Sequence, residues 1–349
     1  MSQRVGIIRD ERFIEHKTGH LHPEHPSRLQ AVHRMLDSGD PGLEGLIDME
    51  AEMATMEQLE LVHTPAHIKK ILKTAEQEFT SLAPDTPASA KTYLAAWLAV
   101  GGCIRGLESM LAGECDVCFA LVRPPGHHAL PNRVSGFCIF NNLAVTARFA
   151  RRRYGFKRIL VVDWDVHHGH GLNDLFYSEQ EVFYFSSHDT LLYPHTGDWD
   201  QTGSGEGEGF TVNIPIPRDL TDDDFVHLYR EVLGRVLEKY EPDLILAAAG
   251  FDAHRDDPVG RSRLTEQAFT DVTRLLLGHL EKTPSTPPLL LALEGGYDPP
   301  ALARCVREVL VTLLRGEGLG RSKAEAGPRA VELVDRAKEV HRRYRIWTD

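Results

Sequence analysis

Apolar residues follow two rhythms along this chain. Short runs that are apolar at nearly every position predict strands covered on both faces: RVGIIRD (4–10), DVCFALV (116–122), RILVVDWD (158–165), EVFYFSSH (181–188), FTVNIPI (210–216), DLILAAAGFD (243–252) and PLLLALEGGY (288–297). Between them, apolar positions recur with helical spacing at 26–37, 89–111, 141–155, 221–240, 265–280 and 301–314. Strand and helix alternating in this way predict an α/β fold: a single domain with a mostly parallel central sheet and helices on both faces. Residues 1–315 form the expected main unit. Residues 316–349, a loop (RGEGLGRSKAEAG) and an amphipathic helix (PRAVELVDRAKEVHRRYRIWTD), are expected to pack on it. The Gly-rich stretch 197–210 lacks a phosphate-loop pattern and reads as a surface loop.

The polar residues sit where these runs end. DVCFALV leads into RPPGHH, RILVV into DWDVHHGHG, EVFYF into SSHD, DLILAAAG into FDAHRDDP and PLLLALE into GGYD. Open α/β sheets bind ligands beyond the carboxyl ends of their strands, so five strands deliver ionisable groups to one edge, where the active site is expected. Asp165 and His167 stand two apart in an extended segment and share a side. With Asp252 they make three protein ligands of the kind that leaves a position open on a catalytic metal. Two carboxylates make the set hard enough to suit Fe(II) as well as zinc. His127 and His128 follow Pro-Pro-Gly on a rigid turn and are candidates for general base and acid. Asp163 is placed to accept the N–H of one of them. Tyr297, after two glycines, is placed to donate to a carbonyl oxygen that gains charge.

Charge and cysteine content narrow the class. The formal net charge of −12 over 349 residues argues against a nucleic-acid partner. Five cysteines, of which Cys115 and Cys118 form one C-x-x-C, are not a disulfide framework. No signal-peptide pattern opens the sequence, and no apolar stretch reads as a membrane span; the expectation is a soluble, cytoplasmic protein.

The set RPPGHH, GFCIFNN, DWDVHHG, GFDAHRDDP and LEGGYD, in this order, resembles the zinc-dependent histone deacetylase family of the arginase–deacetylase superfamily, in particular bacterial amidohydrolases similar to histone deacetylases. HPEHPSRLQAV near the start and the P-D-T-P at 84–87 fit as well, so the likeness runs to about residue 315. The resemblance implies hydrolysis of an acetyl amide, an acetyl-lysine side chain first, with Asp165, His167 and Asp252 on the metal. It implies His127 and His128 as tandem base and acid, and Tyr297 polarising the carbonyl. Gly136, Phe137 and Tyr193 would line the acyl-lysine channel, Asp85 its rim, and Arg28 an internal channel below the metal. A structural potassium ion would be held by Asp163 and Ser186 with carbonyls of Asp165, His167 and Ser187.

Three positions depart from the family pattern. His170 stands where Asp or Asn usually bonds the second histidine, and His195 where glycine is usual at the channel mouth. Val259 occupies the gatekeeper position, at which acetylpolyamine specialists carry a glutamate. Competing readings are an acetylpolyamine or other small-amide hydrolase, an arginase-type binuclear enzyme suggested by DAHRD (252–256), and a non-catalytic scaffold. The oligomeric state is left open.

Overall fold

The computed structural model describes residues 3–283, 285–318 and 326–347. Most of the 315–327 loop and the last two residues of the terminal segment therefore lie outside the described residues.

Eight parallel strands form one sheet. In chain order the strands are β1 (Val5–Ile8), β2 (Ile47–Met49), β3 (Phe79–Ala83), β4 (Thr86–Ser89), β5 (Val117–Ala120), β6 (Ile159–Asp163), β7 (Val182–His188), β8 (Thr211–Pro215), β9 (Leu244–Ala249) and β10 (Leu289–Leu293). The sheet runs β2-β1-β5-β10-β9-β6-β7-β8, and β3 pairs with β4 in a separate antiparallel hairpin. Every residue of β5, β6, β7, β9 and β10 is buried, which is why these strands announce themselves as apolar runs. Helices cover both faces, the longest being Thr92–Leu111, Glu266–Lys282 and Pro299–Arg315.

The chain builds β1 and β5 on one side and β6 to β8 outward on the other. It then returns to insert β9 and β10 between β5 and β6. The five polar strand ends singled out in the sequence thus belong to five contiguous strands, with a reversal of winding at their centre.

Several elements escaped the periodicity. Strand β2 is three residues long, and the β3–β4 hairpin carries no alternation, with Phe79 exposed. Short helices at Met56–Leu59, Pro65–Leu72 and His170–Phe176 interrupt segments read as connections. The segment 221–240 is helical throughout, but Tyr229–Leu233 widens into i→i+5 hydrogen bonding. One further expectation is corrected. Helix Thr92–Leu111 is by length and composition apolar enough to cross a membrane, with 72% of that window buried inside the protein. It is a core helix: Trp97, Val100, Ile104 and Leu107 pack against other buried side chains.

At the C-terminal side, helix Pro328–His341 packs on Asp222–Leu228. Tyr344 bonds Thr202 through its hydroxyl at 2.8 Å, and the carbonyl of Ile346 accepts from Arg235 Nε at 3.1 Å.

Candidate metal centre and active site

Asp165 and His167 leave the end of β6, and Asp252 follows β9. Their ligand atoms lie within 4.8 Å of one another, and all three residues are buried. His167 Nδ1 is 3.0 Å from Asp165 Oδ1 and 2.9 Å from Asp252 Oδ2. Donors 2.0–2.2 Å from one tetrahedral ion stand about 3.3 Å apart, so the spacing suits a first-row metal. The backbone fixes the other carboxylate oxygens: Asp165 Oδ2 accepts from Gly295 N at 2.8 Å, and Asp252 Oδ1 from Val166 N at 2.9 Å. Glycine is required around them. A Cβ at Gly295 would run into the carboxylates of both Asp252 and Asp165, and one at Gly250 into Asp165. Two buried carboxylates so close demand positive charge. Burial raises Asp252 to about 7, with Asp165 adding to the shift, while burial is outweighed at His167 by Asp252 and Asp165, which push it well up. A divalent cation among these donors meets that same demand.

The two histidines after β5 have different partners. His127 Nδ1 faces Asp163 Oδ2 at 3.1 Å, and Tyr184 donates to the same oxygen at 3.0 Å. Burial works against a charged His127, but Asp163 and Asp165 outweigh it and hold the imidazole up at about 10. His128 Nδ1 instead faces His170 Nδ1 at 3.2 Å. Burial, then the neighbouring His127 and His170, push His128 well below its ordinary value; burial and His127 lower His170 to about 4. The tandem therefore pairs one imidazole with a carboxylate and the other with a neutral ring.

Tyr297 is partly buried where the charges of Asp165 and Asp252 act on it, its ring set edge-on to Phe137 with centroids 5.8 Å apart. Arg28 lies 4.9 Å from the Tyr297 ring centre and is tied to the carbonyls of Gly296 and Glu294, each at 2.5 Å. Tyr193 stands edge-on to His128 at 5.1 Å. Gly136 and Phe137 both have positive φ, +52° and +67°, and a Cβ at Gly136 would collide with the His128 ring. The Gly136 N–H donates to Asp85 Oδ2 at 3.2 Å. Val259 is partly buried in the loop after β9, its N–H bonded to Asp257 Oδ1 at 2.8 Å. His195 is exposed with φ +62°, a conformation that favours glycine, and its ring lies 3.3 Å from the Thr190 carbonyl in its own loop.

Asp163 pairs with Ser186 across β6 and β7. The Ser186 hydroxyl is 2.8 Å from His188 Nδ1, and Ser187 Oγ is 2.7 Å from Tyr229 OH, in the widened turn of its helix. The DAHRD segment does not build a second metal set. Asp256 pairs with Arg304 at 2.8 Å, and His254 faces Glu266 at 3.5 Å.

Four supporting residues carry no signal in spacing. Glu294 Oε2 accepts from Gly126 N at 2.7 Å and His127 N at 3.1 Å, which anchors the histidine turn. Asp257 Oδ2 accepts from Tyr297 N at 2.6 Å. Tyr184 braces Asp163, and Ser135 links His170 to Tyr193. Both Glu294 and Asp257 lie inside quoted motifs, LEGGYD and FDAHRDDP, the one clue available. Beneath the site, buried Glu24 binds Arg28 at 2.9 Å and Arg123 at 2.6 Å.

Carboxylates, imidazoles and a phenol gathered at the carboxyl edge of a parallel sheet are the groups that acid–base hydrolysis uses. Residues 22–313 match the histone deacetylase domain. A probable deacetylase of Archaeoglobus fulgidus is 34% identical over 294 residues, covering 84% of this chain and 81% of that one. Histone deacetylase HDA1 of Candida albicans is 33% identical over 93% of this chain and 41% of its own length. Histone deacetylase 5 of Arabidopsis thaliana is 34% identical over 88% and 49%. The chain thus spans about half the length of these two eukaryotic relatives. The crystal structure of the HDA15 HD domain superposes with a TM-score of 0.90 at 31% identity, over 98% of this chain and 95% of that one. The chain belongs to the histone deacetylase family, and it carries a deacetylase domain.

Proposed function

We propose that the protein hydrolyses an acyl amide, foremost the acetylated side chain of lysine, and that it does so with a metal held by Asp165, His167 and Asp252. The observation that carries this reading is the convergence of those three donors within 4.8 Å, beside the His127–His128 pair and Tyr297. Zinc is the proposed ion, with Fe(II) as the alternative. Such an ion, when bound, polarises the amide carbonyl and acidifies water.

The chain's own groups divide the remaining work. His128, paired with a neutral ring, is the base that removes the proton from the attacking water. His127, held by Asp163, contributes positive charge next to the centre. Tyr297 donates to the carbonyl oxygen as it becomes an oxyanion, and Asp257 keeps its backbone in place. His128 returns its proton to the leaving amine. Phe137 and Tyr193 flank the aliphatic stem, and Asp85 at the rim accepts from a substrate backbone N–H. Arg28 lines the space beneath Tyr297. Asp163 and Ser186, with the carbonyls of Asp165, His167 and Ser187, would hold potassium. Val259 brings no charge to the mouth, which favours acetyl-lysine over acetylpolyamines. All five cysteines are free and buried, in keeping with a reducing, cytoplasmic setting.

The test is acetate release from an acetyl-lysine peptide by chelator-stripped protein, with and without one equivalent of zinc, beside Tyr297→Phe. Zinc is expected to restore turnover, and the phenylalanine variant to lose roughly 10²–10³-fold in kcat. Zinc binding without acetate release overturns the lysine reading; release from an acetylated polyamine in the same assay would replace it.

A further inference from the structure

The nitrogen of His128 that faces away from the reacting centre does not meet a carboxylate or an amide. It meets a second imidazole, itself buried, that lines a cavity. His170 begins helix His170–Phe176. Its Nδ1 is 3.2 Å from His128 Nδ1, and its Nε2 is 3.3 Å from Ser135 Oγ. Ser135 Oγ is in turn 2.5 Å from the Tyr193 hydroxyl. His170, Ser135 and Tyr193 share the wall of an 830 Å³ cavity with Asp85, Arg133 and Asp174. His127, His128, Phe137 and Tyr297 do not line it, whereas Tyr193 and Asp85 do.

Two imidazole nitrogens 3.2 Å apart attract only when one of them carries a proton and the other does not. An Asn at position 170 would hold His128 in one tautomer, and an Asp would in addition stabilise its imidazolium, but an amide takes no proton on and a carboxylate leaves the charge on His128. An imidazole accepts at one nitrogen and donates from the other. Resting on the deacetylase reading above, we propose that His170 is the proton-holding partner of His128. When His128 Nε2 takes a proton from water, its Nδ1 proton passes to His170 Nδ1, and His170 donates its Nε2–H to Ser135 Oγ. The positive charge then sits one ring farther from His127 and from the metal ligands, beside Asp85 and the water of the cavity. When His128 gives its Nε2 proton to the leaving amine, the Nδ1 proton returns. The cycle neither gains nor loses a proton. The charged and titratable groups around His170 are His127, His128, His168, Asp85, Arg133, Tyr193 and, on the cavity wall, Asp174 and Tyr177; Asp85 favours the cation, and His127 and Arg133 oppose it. His170 acts through His128 and is a positioning residue.

The experiment uses zinc-loaded full-length protein and an acetyl-lysine peptide. His170→Phe keeps an aromatic ring and removes both nitrogens, and it should lower kcat roughly 10²-fold with KM and zinc content nearly unchanged. His170→Ala opens the pocket to added imidazole. Rescue should follow the concentration of neutral imidazole between about pH 6 and 8, and pyrrole, a ring of the same size with no basic nitrogen, should not rescue. A His170→Phe rate within about threefold of wild type overturns the proposal. Equal rescue by pyrrole overturns it too, because that would make the ring a space-filler. If the phenylalanine variant does not fold, the rescue series decides alone. A wild type that binds zinc and releases no acetate removes the deacetylase reading and this proposal together; an active wild type with unaffected variants removes this proposal only.

Discussion

The carboxylate of Asp257 holds the backbone N–H of Tyr297 at 2.6 Å across 40 residues of chain. Its other oxygen accepts from Val259 at 2.8 Å and Gly260 at 3.0 Å. One buried side chain thereby ties the loop after β9 to the turn after β10 that presents the phenol. Asp257→Ala should lower kcat about 10–10²-fold by letting Tyr297 drift, with zinc content intact. Asp257→Asn, which keeps an acceptor, should lose less. Steady-state kinetics with metal analysis of both variants checks this.

Gly295 touches both metal-side carboxylates. Gly295→Ala should weaken zinc binding by about 10–100-fold, because its Cβ displaces Asp165 and Asp252. Gly234→Ala meets open space in a helix and should leave zinc binding as it is. Competition with a metal-sensitive chelator separates the two.

Glu24 sits between Arg28 and Arg123. Burial pushes its carboxyl up, but the two guanidiniums outweigh burial and hold it below the usual 4.5. Its contribution to stability is therefore complete above pH 4.5 and is lost as pH falls through the lower folded value. Glu24→Gln leaves two buried cations short of a counter-charge and should cost about 3–5 kcal/mol in urea unfolding at pH 7. The variant should also lose less than wild type on going to more acid solution.

His63 and His341 are buried neutral, lowered by burial to about 3 and about 4 from 6.5. The unfolded chain takes up their protons first, so their contribution is intact above pH 6.5. It falls away between 6.5 and those lower values. Each adds up to about 1.4 kcal/mol per pH unit to the slope of stability in that window. Replacing both with Gln should flatten the slope between about pH 5 and 6.5, whatever it does to stability at pH 7.

How much of this was legible follows from what each residue touches. Seven of the eight sheet strands announced themselves because neighbours on both faces leave room only for apolar side chains; β2, three residues at the edge with Asp48 exposed, had no such constraint. Asp165, His167, Asp252, His127, His128 and Tyr297 stood out because ionisable types at the ends of apolar runs have no packing reason to be there. Asp85, Gly136, Phe137, Tyr193 and Arg28 were reached through family resemblance, since nothing in their local spacing marks a channel. Ser135, Asp257 and Glu294 act on backbone N–H groups or a neighbouring ring brought close by the tertiary path, and a linear pattern holds no trace of that. His170 was legible as a departure, but its second partner, Ser135, was not.

The winding of the sheet also sets a schedule for the newborn protein. Because β9 and β10 are laid last between β5 and β6, a chain emerging from the ribosome as far as residue 240 already displays Asp165 and His167 but lacks Asp252, Gly295 and Tyr297. Its two half-sheets would carry open edges facing one another, waiting for the final third of translation. A chain cut before residue 252 would lack a metal donor and one cut before residue 297 would lack the phenol, so the complete site belongs only to a chain that has laid both inner strands.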